Sequence, residues 1–402
     1  MFKKCISLIS LLLCMAVFMG IGVGASDVLS VSDYVTAPAW ATEDSVAANA
    51  ESLNLGGKSA ILIEEKSGKV LYERDADIKM PPASITKIMT LLLTMEAMED
   101  GNFNLDTQVT CSEHAASMGG AQIWLEVGEK MSVDDLLKAV CIKSANDAAV
   151  LLAELVGGSE DGFVVMMNER AKELKMTNTT FKNASGLDAE GHLSTARDIA
   201  TMSRALMRHD KIFEYTKIWM DTLRGGQTEL VNTNKLIRFY KGATGLKTGT
   251  TDGAGSCLSA TAERDGMSLI GVVMGFPDSK TRNASAKKLL DFGFANFKIV
   301  TPNVSEDIPK SIPVKKATTD SIAVSTGEIP SVLLERKSEG KITTKINLPS
   351  EVEAPIQKGD KIGTAEIFVD GKKYGEYDIT AAEKADKMSF FYAFIRILSE
   401  VF

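Results

Sequence analysis

Apolar and polar positions along the chain predict a group of helices that lies between two groups of strands. Near the start, Ser59–Glu65 and Val70–Arg74 are short β-prone runs separated by a turn that contains Gly68, which predicts a hairpin. Apolar positions then recur at helical spacing over five stretches: Ile85–Met98, Ser132–Val140, Asn146–Val156, Gly162–Leu174 and Ala196–Arg208.

Strands return after these helices. β-Prone segments lie around Leu246, around Leu258 and over Met267–Met274, and a closing helix is predicted over Thr281–Phe297. Strands at both ends of the region, with helices between them, predict one mixed sheet covered by helices, which is an α/β (α+β) fold. We expect this first domain to span residues 58–299.

The pattern changes after Thr301, where Pro, Val, Ile, Thr and Lys alternate. Turn-forming pairs interrupt the alternation at four places: Thr326-Gly327, Glu339-Gly340, Lys358-Gly359 and Asp370-Gly371. Short alternating runs separated by such turns predict a small all-β domain over residues 300–380.

The N-terminal region has a different composition. Two lysines precede an apolar run from Ile6 to Phe18 and a small-residue end, which predicts a secretory signal peptide over residues 1–25, cleaved near Ala25. An uncleaved membrane anchor is the alternative. Residues 26–57 are rich in Ser, Ala, Thr and acidic side chains, and this composition predicts a flexible lead-in.

The C-terminal residues 381–402 have the pattern of an amphipathic helix. Apolar side chains recur every three or four residues, at Met388, Phe391, Ile395, Leu398 and Phe402. The charges in this segment exclude a spanning helix, whereas its phenylalanine-rich face fits the plane of a membrane interface. We expect export followed by peripheral attachment to the outer face of the cytoplasmic membrane. The alternatives are a helix docked on the protein's own surface and a helix that binds a partner protein.

Composition and charge narrow the function classes. The 402 residues are 45% hydrophobic and 24% charged, as in a globular protein. The formal net charge of −8 disfavours nucleic acid as a partner. Cys111, Cys141 and Cys257 remain after the leader, which is too few for a disulfide framework, so we expect buried free thiols. No His-Glu-x-x-His or paired-cysteine motif occurs, so the sequence implies no metal.

Three short motifs occur in order along the chain: Ser84-Ile85-Thr86-Lys87, Ser144-Ala145-Asn146 and Lys247-Thr248-Gly249-Thr250. Each is common when it occurs alone, and the conjunction is what indicates chemistry. Ser84 and Lys87 share one helix face a turn apart, so the amine can approach the hydroxyl. A neutral amine could act as a general base if burial or a nearby cation such as Lys247 lowers its pKa. The start of the helix would favour an oxyanion beside Ser84.

This set of motifs resembles the active-site signature of the penicillin-recognising serine enzymes. More narrowly, it resembles the serine-type D-Ala-D-Ala carboxypeptidases among the low-molecular-mass penicillin-binding proteins. The narrower likeness also rests on residues 82–90, 183–187, 232–236 and 245–251. The resemblance is strong over residues 58–297. Over residues 301–380 it is looser, because only the position and the β-rich pattern match, and no motif does. The resemblance implies a penicillin-binding/β-lactamase-like transpeptidase domain, followed by the family's β-rich second domain.

The resemblance also implies catalytic roles. Ser84 would attack the carbonyl between the two terminal D-alanines of a peptidoglycan stem peptide, with Lys87 as the base. Ser144 would relay a proton to the leaving amine. Asn146 would hydrogen-bond the substrate amide or hold Lys87.

The third motif would bind substrate. Lys247 and Thr248 would meet the terminal carboxylate, and Gly249 would let the substrate lie against the strand edge. The backbone N–H groups of Thr250 and Ser84 would form the oxyanion hole. β-Lactam antibiotics are the second implied ligand, and no cofactor is implied.

Two other functions stay open, namely a β-lactamase and a non-hydrolytic penicillin-binding or cell-wall-binding protein. Ala145 stands where many β-lactamases have Asp, and Thr250 stands where some relatives have His. A histidine-based triad would need a Gly-x-Ser-x-Gly elbow, which the chain lacks. We therefore expect His192 to be a loop residue, and His114 and His209 to be surface residues.

Overall fold

In a computed structural model of the protein, the structure describes residues 53–302, 308–326, 329, 331–338 and 340–391. The predicted signal peptide and most of the predicted lead-in lie outside the described residues.

The helices of four or more residues in the described part are α1 Lys87–Glu99, α2 Glu113–Ala116, α3 Val133–Lys138, α4 Asn146–Gly157, α5 Glu160–Glu173, α6 Ala196–Leu206, α7 Phe213–Thr216, α8 Leu236–Phe239 and α9 Ser279–Asn296. Short 3-10 turns lie at Ala83–Thr86, Asp210–Ile212 and Arg224–Gly226, and a π-helical turn lies at Ala139–Lys143.

The strands in the same part are β1 Ser59–Glu64, β2 Val70–Arg74, β3 Gln108–Thr110, β4 Lys130–Ser132, β5 Met220–Leu223, β6 Thr228–Val231, β7 Ala243–Thr251, β8 Gly255–Arg264, β9 Met267–Phe276, β10 Phe297–Val300, β11 Ser311–Lys315, β12 Ser321–Ser325, β13 Val332–Glu335, β14 Ile342–Asn347, β15 Val352–Glu353, β16 Lys361–Val369 and β17 Lys372–Ala381.

The central sheet has the strand order β2-β1-β9-β8-β7, and every neighbouring pair is antiparallel. It joins the N-terminal hairpin to the three strands that follow the helices, which confirms the predicted α/β (α+β) fold. The prediction of a mixed sheet was wrong, because short turns join β1 to β2 and β7 to β8 to β9, and such turns connect antiparallel strands. β7 is an edge strand, so one side of its backbone is left without a strand partner in the sheet. That edge carries the third sequence motif.

Helices cover both faces of the central sheet, so its strands are buried on both sides. Leu258 and Ala260 of β8 belong to one buried apolar cluster with Leu289 of α9. Ser259 points to the opposite face, where its Oγ lies 2.8 Å from Ser203 Oγ of α6. The alternation of side chains along one strand therefore places α9 and α6 on opposite faces of the sheet.

The helix that follows Ser84 is buried nearly all round, as its apolar sequence predicts. Residues 87–95 of α1 are all buried. The helix begins at Lys87, two residues later than predicted, because residues 83–86 form a tighter 3-10 turn in which the Ile85 N–H donates to Pro82 O at 3.2 Å. Ser84 therefore lies on a tight turn that leads into α1.

The region after α9 is all-β, as predicted. β10 pairs with β13, and a second sheet has the order β14-β16-β17-β12-β11-β15. Asp370 and Gly371, at the β16–β17 turn, both have positive φ, 48° and 79°, as the two-residue turn of a tight hairpin requires. β10 begins at Phe297, so strand pairing of the second domain starts slightly before the predicted boundary at residue 300.

The predicted helix over residues 381–402 does not begin at 381. Ala381 ends β17, and Ala385 forms a β-bridge with Ile356. Both alanines are 1% exposed, so their burial and backbone pairing hold this stretch in an extended conformation on the β domain. Residues 392–402 lie outside the described residues. Among the helices of the described part, none is long and apolar enough to cross a membrane.

Candidate active site

Ser84 and Lys87 face each other across one turn of backbone. Lys87 Nζ lies 3.0 Å from Ser84 Oγ. The lysine side chain is fully buried, whereas Ser84 is partly exposed. A hydroxyl that solvent can reach is therefore in contact with an amine that solvent cannot reach.

The Lys87 amine also contacts two oxygens that can only accept hydrogen bonds. Asn146 Oδ1 lies 2.6 Å from Nζ, and the backbone oxygen of Ser185 lies at 2.5 Å. Asn146 Nδ2 donates to Gly119 O at 2.6 Å, which fixes the amide so that its oxygen faces the lysine. A neutral amine donates its two N–H groups to these oxygens, so its lone pair is directed at Ser84 Oγ. This is the arrangement that a general base requires.

Burial and a neighbouring cation favour the neutral amine. Burial lowers the pKa of Lys87 well below its usual value, and the charge of Lys247 lowers it further, against a smaller opposite effect of Asp147. Burial also lowers the pKa of Lys247, to about 7, with Cys141 opposing and Arg282 reinforcing the effect. Lys87 is therefore suited to accept a proton, and Lys247 carries its positive charge below about pH 7.

Ser144 is presented by a break between two helices. The π-helical turn after α3 ends at Ser144, whose φ of 65° is left-handed, and α4 begins two residues later. Such local backbone irregularities cost energy and concentrate at functional sites. Lys247 Nζ donates to Ser144 Oγ at 2.7 Å and to Thr248 O at 3.0 Å. The break thus places Ser144 beside Lys247 and Asn146 beside Lys87.

Gly249 has a different immediate role from the one inferred from the sequence. A Cβ at this position would lie 3.0 Å from Ala83 Cβ, 3.0 Å from Pro82 O and 3.1 Å from Ile85 N. The space that the glycine leaves is therefore taken up by the chain's own Ser84 turn. The missing side chain lets β7 approach the turn that carries Ser84.

The neighbouring residues of β7 complete this wall of the site. Thr248 Oγ1 lies 2.8 Å from Thr233 Oγ1, and Thr233 belongs to the segment 232–236 that supported the family resemblance. Thr250 is exposed, and its Oγ1 donates to Gly249 O at 2.8 Å. The three motifs named from the sequence therefore come together at one edge of the central sheet.

His192 lies in a loop, as the sequence predicted, and it is buried there. It is 2% exposed, and its Nδ1 accepts a hydrogen bond from the Lys182 N–H at 3.1 Å. The ring proton must then reside on Nε2, which donates to Thr86 Oγ1 at 2.8 Å. Burial lowers the pKa of His192 to about 4, with Asp188 opposing and Lys182 reinforcing the effect. A neutral histidine thus holds the turn between Ser84 and Lys87.

Arg282 is a second residue that sequence reasoning missed. It lies on α9, is 3% exposed and donates from Nη1 to Cys257 O at 3.4 Å. Its guanidinium lowers the pKa of Lys247, so the two cations act on the same region. Two cations that act on the same region favour a bound carboxylate.

Two family profiles match the chain. The D-alanyl-D-alanine carboxypeptidase family matches residues 45–278, and the penicillin-binding protein 5 C-terminal domain matches residues 297–387. The D-alanyl-D-alanine carboxypeptidase DacF of Bacillus subtilis is 42% identical over 337 residues, which cover 83% of this chain and 87% of DacF.

Solved structures agree with these matches. Penicillin-binding protein 5 from Haemophilus influenzae is 28% identical, with a TM-score of 0.69 over 83% of this chain and 98% of that protein. Penicillin-binding protein D2 from Listeria monocytogenes, in its ampicillin-bound form, is 35% identical, with a TM-score of 0.56 over 60% of this chain and 99% of that protein.

Proposed function

Because the chain belongs to the D-alanyl-D-alanine carboxypeptidase family and is a serine-type D-Ala-D-Ala carboxypeptidase, we propose that Ser84 is its nucleophile and Lys87 its general base. The observation that carries this proposal is the environment of the Lys87 amine. Two acceptor oxygens, from Asn146 and Ser185, use both N–H groups of the neutral amine and leave its lone pair toward Ser84 Oγ.

The acylation step follows from this arrangement. Ser84 Oγ attacks the carbonyl carbon between the two terminal D-alanines while its proton moves to Lys87 Nζ. The carbonyl oxygen becomes an oxyanion, which the backbone N–H groups of Ser84 and Thr250 stabilise. The proton taken up by Lys87 is then relayed through the Ser144 hydroxyl to the departing amine, the C–N bond breaks, and free D-alanine leaves a Ser84 ester and a neutral Lys87.

The substrate carboxylate gives the site its preference for a C-terminal residue. Lys247 supplies a buried positive charge, and Thr248 supplies a hydroxyl on the same strand. Arg282 adds positive potential from α9. A buried cation and an anionic ligand compensate for each other's loss of water, so binding is strongest when the carboxylate is present.

Hydrolysis of the ester completes the reaction. The edge of β7 supports the extended acyl chain by backbone hydrogen bonds, in the manner of an added strand. Lys87 takes a proton from the attacking water and Ser84 regains its own, so the nucleophile returns to its starting state. The scheme uses only side chains, backbone groups and water.

We also propose that β-lactam antibiotics acylate Ser84. A β-lactam presents a reactive amide carbonyl next to a carboxylate, which is the combination that Ser84 and Lys247 would recognise. One similar structure is that of an ampicillin-bound penicillin-binding protein. The slow hydrolysis expected of this adduct distinguishes the proposal from a β-lactamase, which would turn the antibiotic over rapidly.

For cellular location we propose export by the signal peptide of residues 1–25, with attachment to the outer face of the cytoplasmic membrane. Phe390 and Phe391 are 90% and 71% exposed where the described chain ends, and the amphipathic pattern continues beyond them. A chain truncated after Met388 keeps the buried Ala385 and tests the anchor. Cosedimentation with lipid vesicles should be lost in the truncated chain, and equal cosedimentation would contradict membrane attachment.

Release of D-alanine from a peptide that ends in D-Ala-D-Ala tests the catalytic proposal. The unaltered protein should release D-alanine, and Ser84→Ala should not. Release by both proteins would refute Ser84 as the nucleophile. Rapid turnover of penicillin by the unaltered protein would point to the β-lactamase alternative.

A further inference from the structure

Trp124 is a large aromatic residue held outside the hydrophobic core. Its side chain is 77% exposed, and its backbone has a φ of 59°. A bulky residue is rarely found in this left-handed region, and the conformation persists only where the surrounding structure imposes it. An exposed indole in a costly backbone conformation indicates a role other than packing.

Hydrogen bonds fix the backbone on both sides of the indole. The N–H groups of Ile123 and Leu125 both donate to Asp147 Oδ2 at 3.1 Å. Arg224 donates to Ile123 O at 2.9 Å and to Trp124 O at 3.3 Å. The indole therefore belongs to a segment whose backbone conformation is set by hydrogen bonds. They come from the buried Asp147 and from Arg224, which lies in the turn that joins β5 to β6.

The same segment forms part of the active-site wall. Gly119 O accepts a hydrogen bond from Asn146 Nδ2 at 2.6 Å, and Ala121 O accepts one from Asn146 N at 2.7 Å. A Cβ on Gly120 would lie 3.8 Å from Leu187 Cδ2. The chain that carries Trp124 thus begins in contact with a residue of the catalytic constellation.

Concave surfaces lie on both sides of Trp124. A cavity of about 590 Å³ is formed by residues between Ala116 and Glu126, and another of about 620 Å³ lies against Arg224 and Thr228. These volumes are in the range that accommodates small ligands. Both linings include polar groups beside the indole, so they suit a polar chain that also has an apolar face.

We propose that Trp124 is a binding platform for the part of the peptidoglycan substrate that lies beyond its terminal D-Ala-D-Ala. This inference rests on the proposed function, because the scissile pair belongs to a much longer polymer. In this proposal the rest of that polymer lies along the surface that continues from Asn146. The chemistry recognised is an apolar C–H face, supplied either by a sugar ring or by an aliphatic part of the stem peptide.

A substrate fits this surface better than a protein partner does. One exposed aromatic side chain stands between two cavities with polar groups in their linings, whereas protein interaction sites are broad contiguous apolar patches. Contact with the flat indole adds affinity without requiring a deep pocket. Trp124 would then increase the specificity for long, natural substrates.

The test compares three substrates that end in D-Ala-D-Ala: a short N-acylated peptide, the free stem pentapeptide and the disaccharide pentapeptide. Trp124→Ala should lower kcat/KM for the disaccharide pentapeptide roughly tenfold more than for the short peptide. Trp124→Phe should restore most of the difference because it keeps a flat apolar face. Val127→Ala is the matched control, since Val127 lies in the same loop and is 61% exposed, and it should keep the rates of the unaltered protein.

Each outcome bears on the proposal. A loss confined to the disaccharide substrate assigns the sugar to Trp124, and a loss shared by the free pentapeptide assigns the stem peptide. An equal loss on all three substrates, or no loss on any, overturns the platform. Failure of the proposed function is distinguishable, because the unaltered protein would then release no D-alanine from any of the three.

Discussion

Lys247 Nζ lies 2.7 Å from Ser144 Oγ, so a buried cation is in direct contact with the hydroxyl proposed to relay a proton. The same charge is the second cause, after burial, of the low pKa of Lys87. One lysine therefore acts on both the proposed proton donor, Ser144, and the proposed proton acceptor, Lys87. This coupling can be tested through the pH dependence of acylation.

Lys247→Gln should move the acid limb of the pH profile to higher pH. The variant removes a positive charge near Lys87, so the pKa of Lys87 rises, and a higher pH is needed to free its lone pair. The expected shift of the limb for penicillin acylation is roughly one pH unit. Lys247→Arg keeps the charge and should keep the limb close to its original position. An acid limb that does not move in Lys247→Gln would contradict the coupling.

Asn146→Asp should slow acylation at neutral pH about a hundredfold. Asp is nearly isosteric with Asn, but its carboxylate favours the protonated form of Lys87 and so removes the free lone pair. The rate should recover as the pH rises through the increased pKa of Lys87. Asn146→Ala adds no negative charge and is the control. If the Asp variant shows no recovery at high pH, the amide acts on substrate rather than on Lys87.

His192 should affect both stability and acylation through Thr86. His192→Phe leaves Thr86 Oγ1 and the Lys182 N–H without partners, which should cost about 3 kcal/mol of unfolding free energy and slow acylation. His192→Gln keeps one acceptor and one donor, and should retain most of the acylation rate. Equal rates for His192→Phe and the unaltered protein would show that the Thr86 contact does not position the nucleophile.

The pH dependence of stability gives an independent check on His192. Its folded pKa is about 4, below the usual value of 6.5, so the unfolded chain binds more protons between these values. The stability that neutral His192 contributes is therefore present above about pH 6.5 and is lost as the pH falls toward 4, by about 3 kcal/mol in total. Chemical denaturation of His192→Gln over this range should show a shallower decline. An identical decline would contradict a buried neutral histidine.

Gly186→Ala should be far more damaging than Gly128→Ala. Both glycines have left-handed φ, 83° and 82°, so both substitutions carry the same backbone cost, about 1 kcal/mol. A Cβ at Gly186 would lie 1.9 Å from Ala83 O, next to the nucleophile, whereas the space around Gly128 is open. Melting temperature and acylation rate should both fall in the first variant, and only the melting temperature, slightly, in the second. Similar results for the two would contradict the tight contact at Ala83.

Much of the fold could be predicted because its elements have strong apolar periodicity. The hairpin of β1 and β2, the long helices and strands β7 to β9 all lie close to where the pattern places them. The β5–β6 hairpin was missed because only Leu223 and Leu230 of its residues are buried. Two buried positions do not produce a recognisable alternation.

The candidate site was harder to predict in its supporting contacts than in its motifs. Spacing alone suggested that Ser84 and Lys87 could meet. The position of His192 beside Thr86 depends on a contact across 106 residues, which no local pattern encodes. The same holds for Arg282, whose helix position gives no sign that it approaches Lys247. Two sequence signals could have pointed to these residues. One is a histidine just before a predicted buried helix, and the other is an arginine inside such a helix.

The most direct test of the account is to locate the covalent adduct formed with a labelled penicillin. The protein is treated briefly, digested and examined by mass spectrometry, with Ser84→Ala and Lys87→Gln in parallel. If Lys87 activates Ser84, we expect a single label on the peptide that contains Ser84, no label in Ser84→Ala, and a label that forms very slowly in Lys87→Gln. A label on another residue, or rapid labelling of Lys87→Gln, would contradict the proposal that Lys87 activates Ser84.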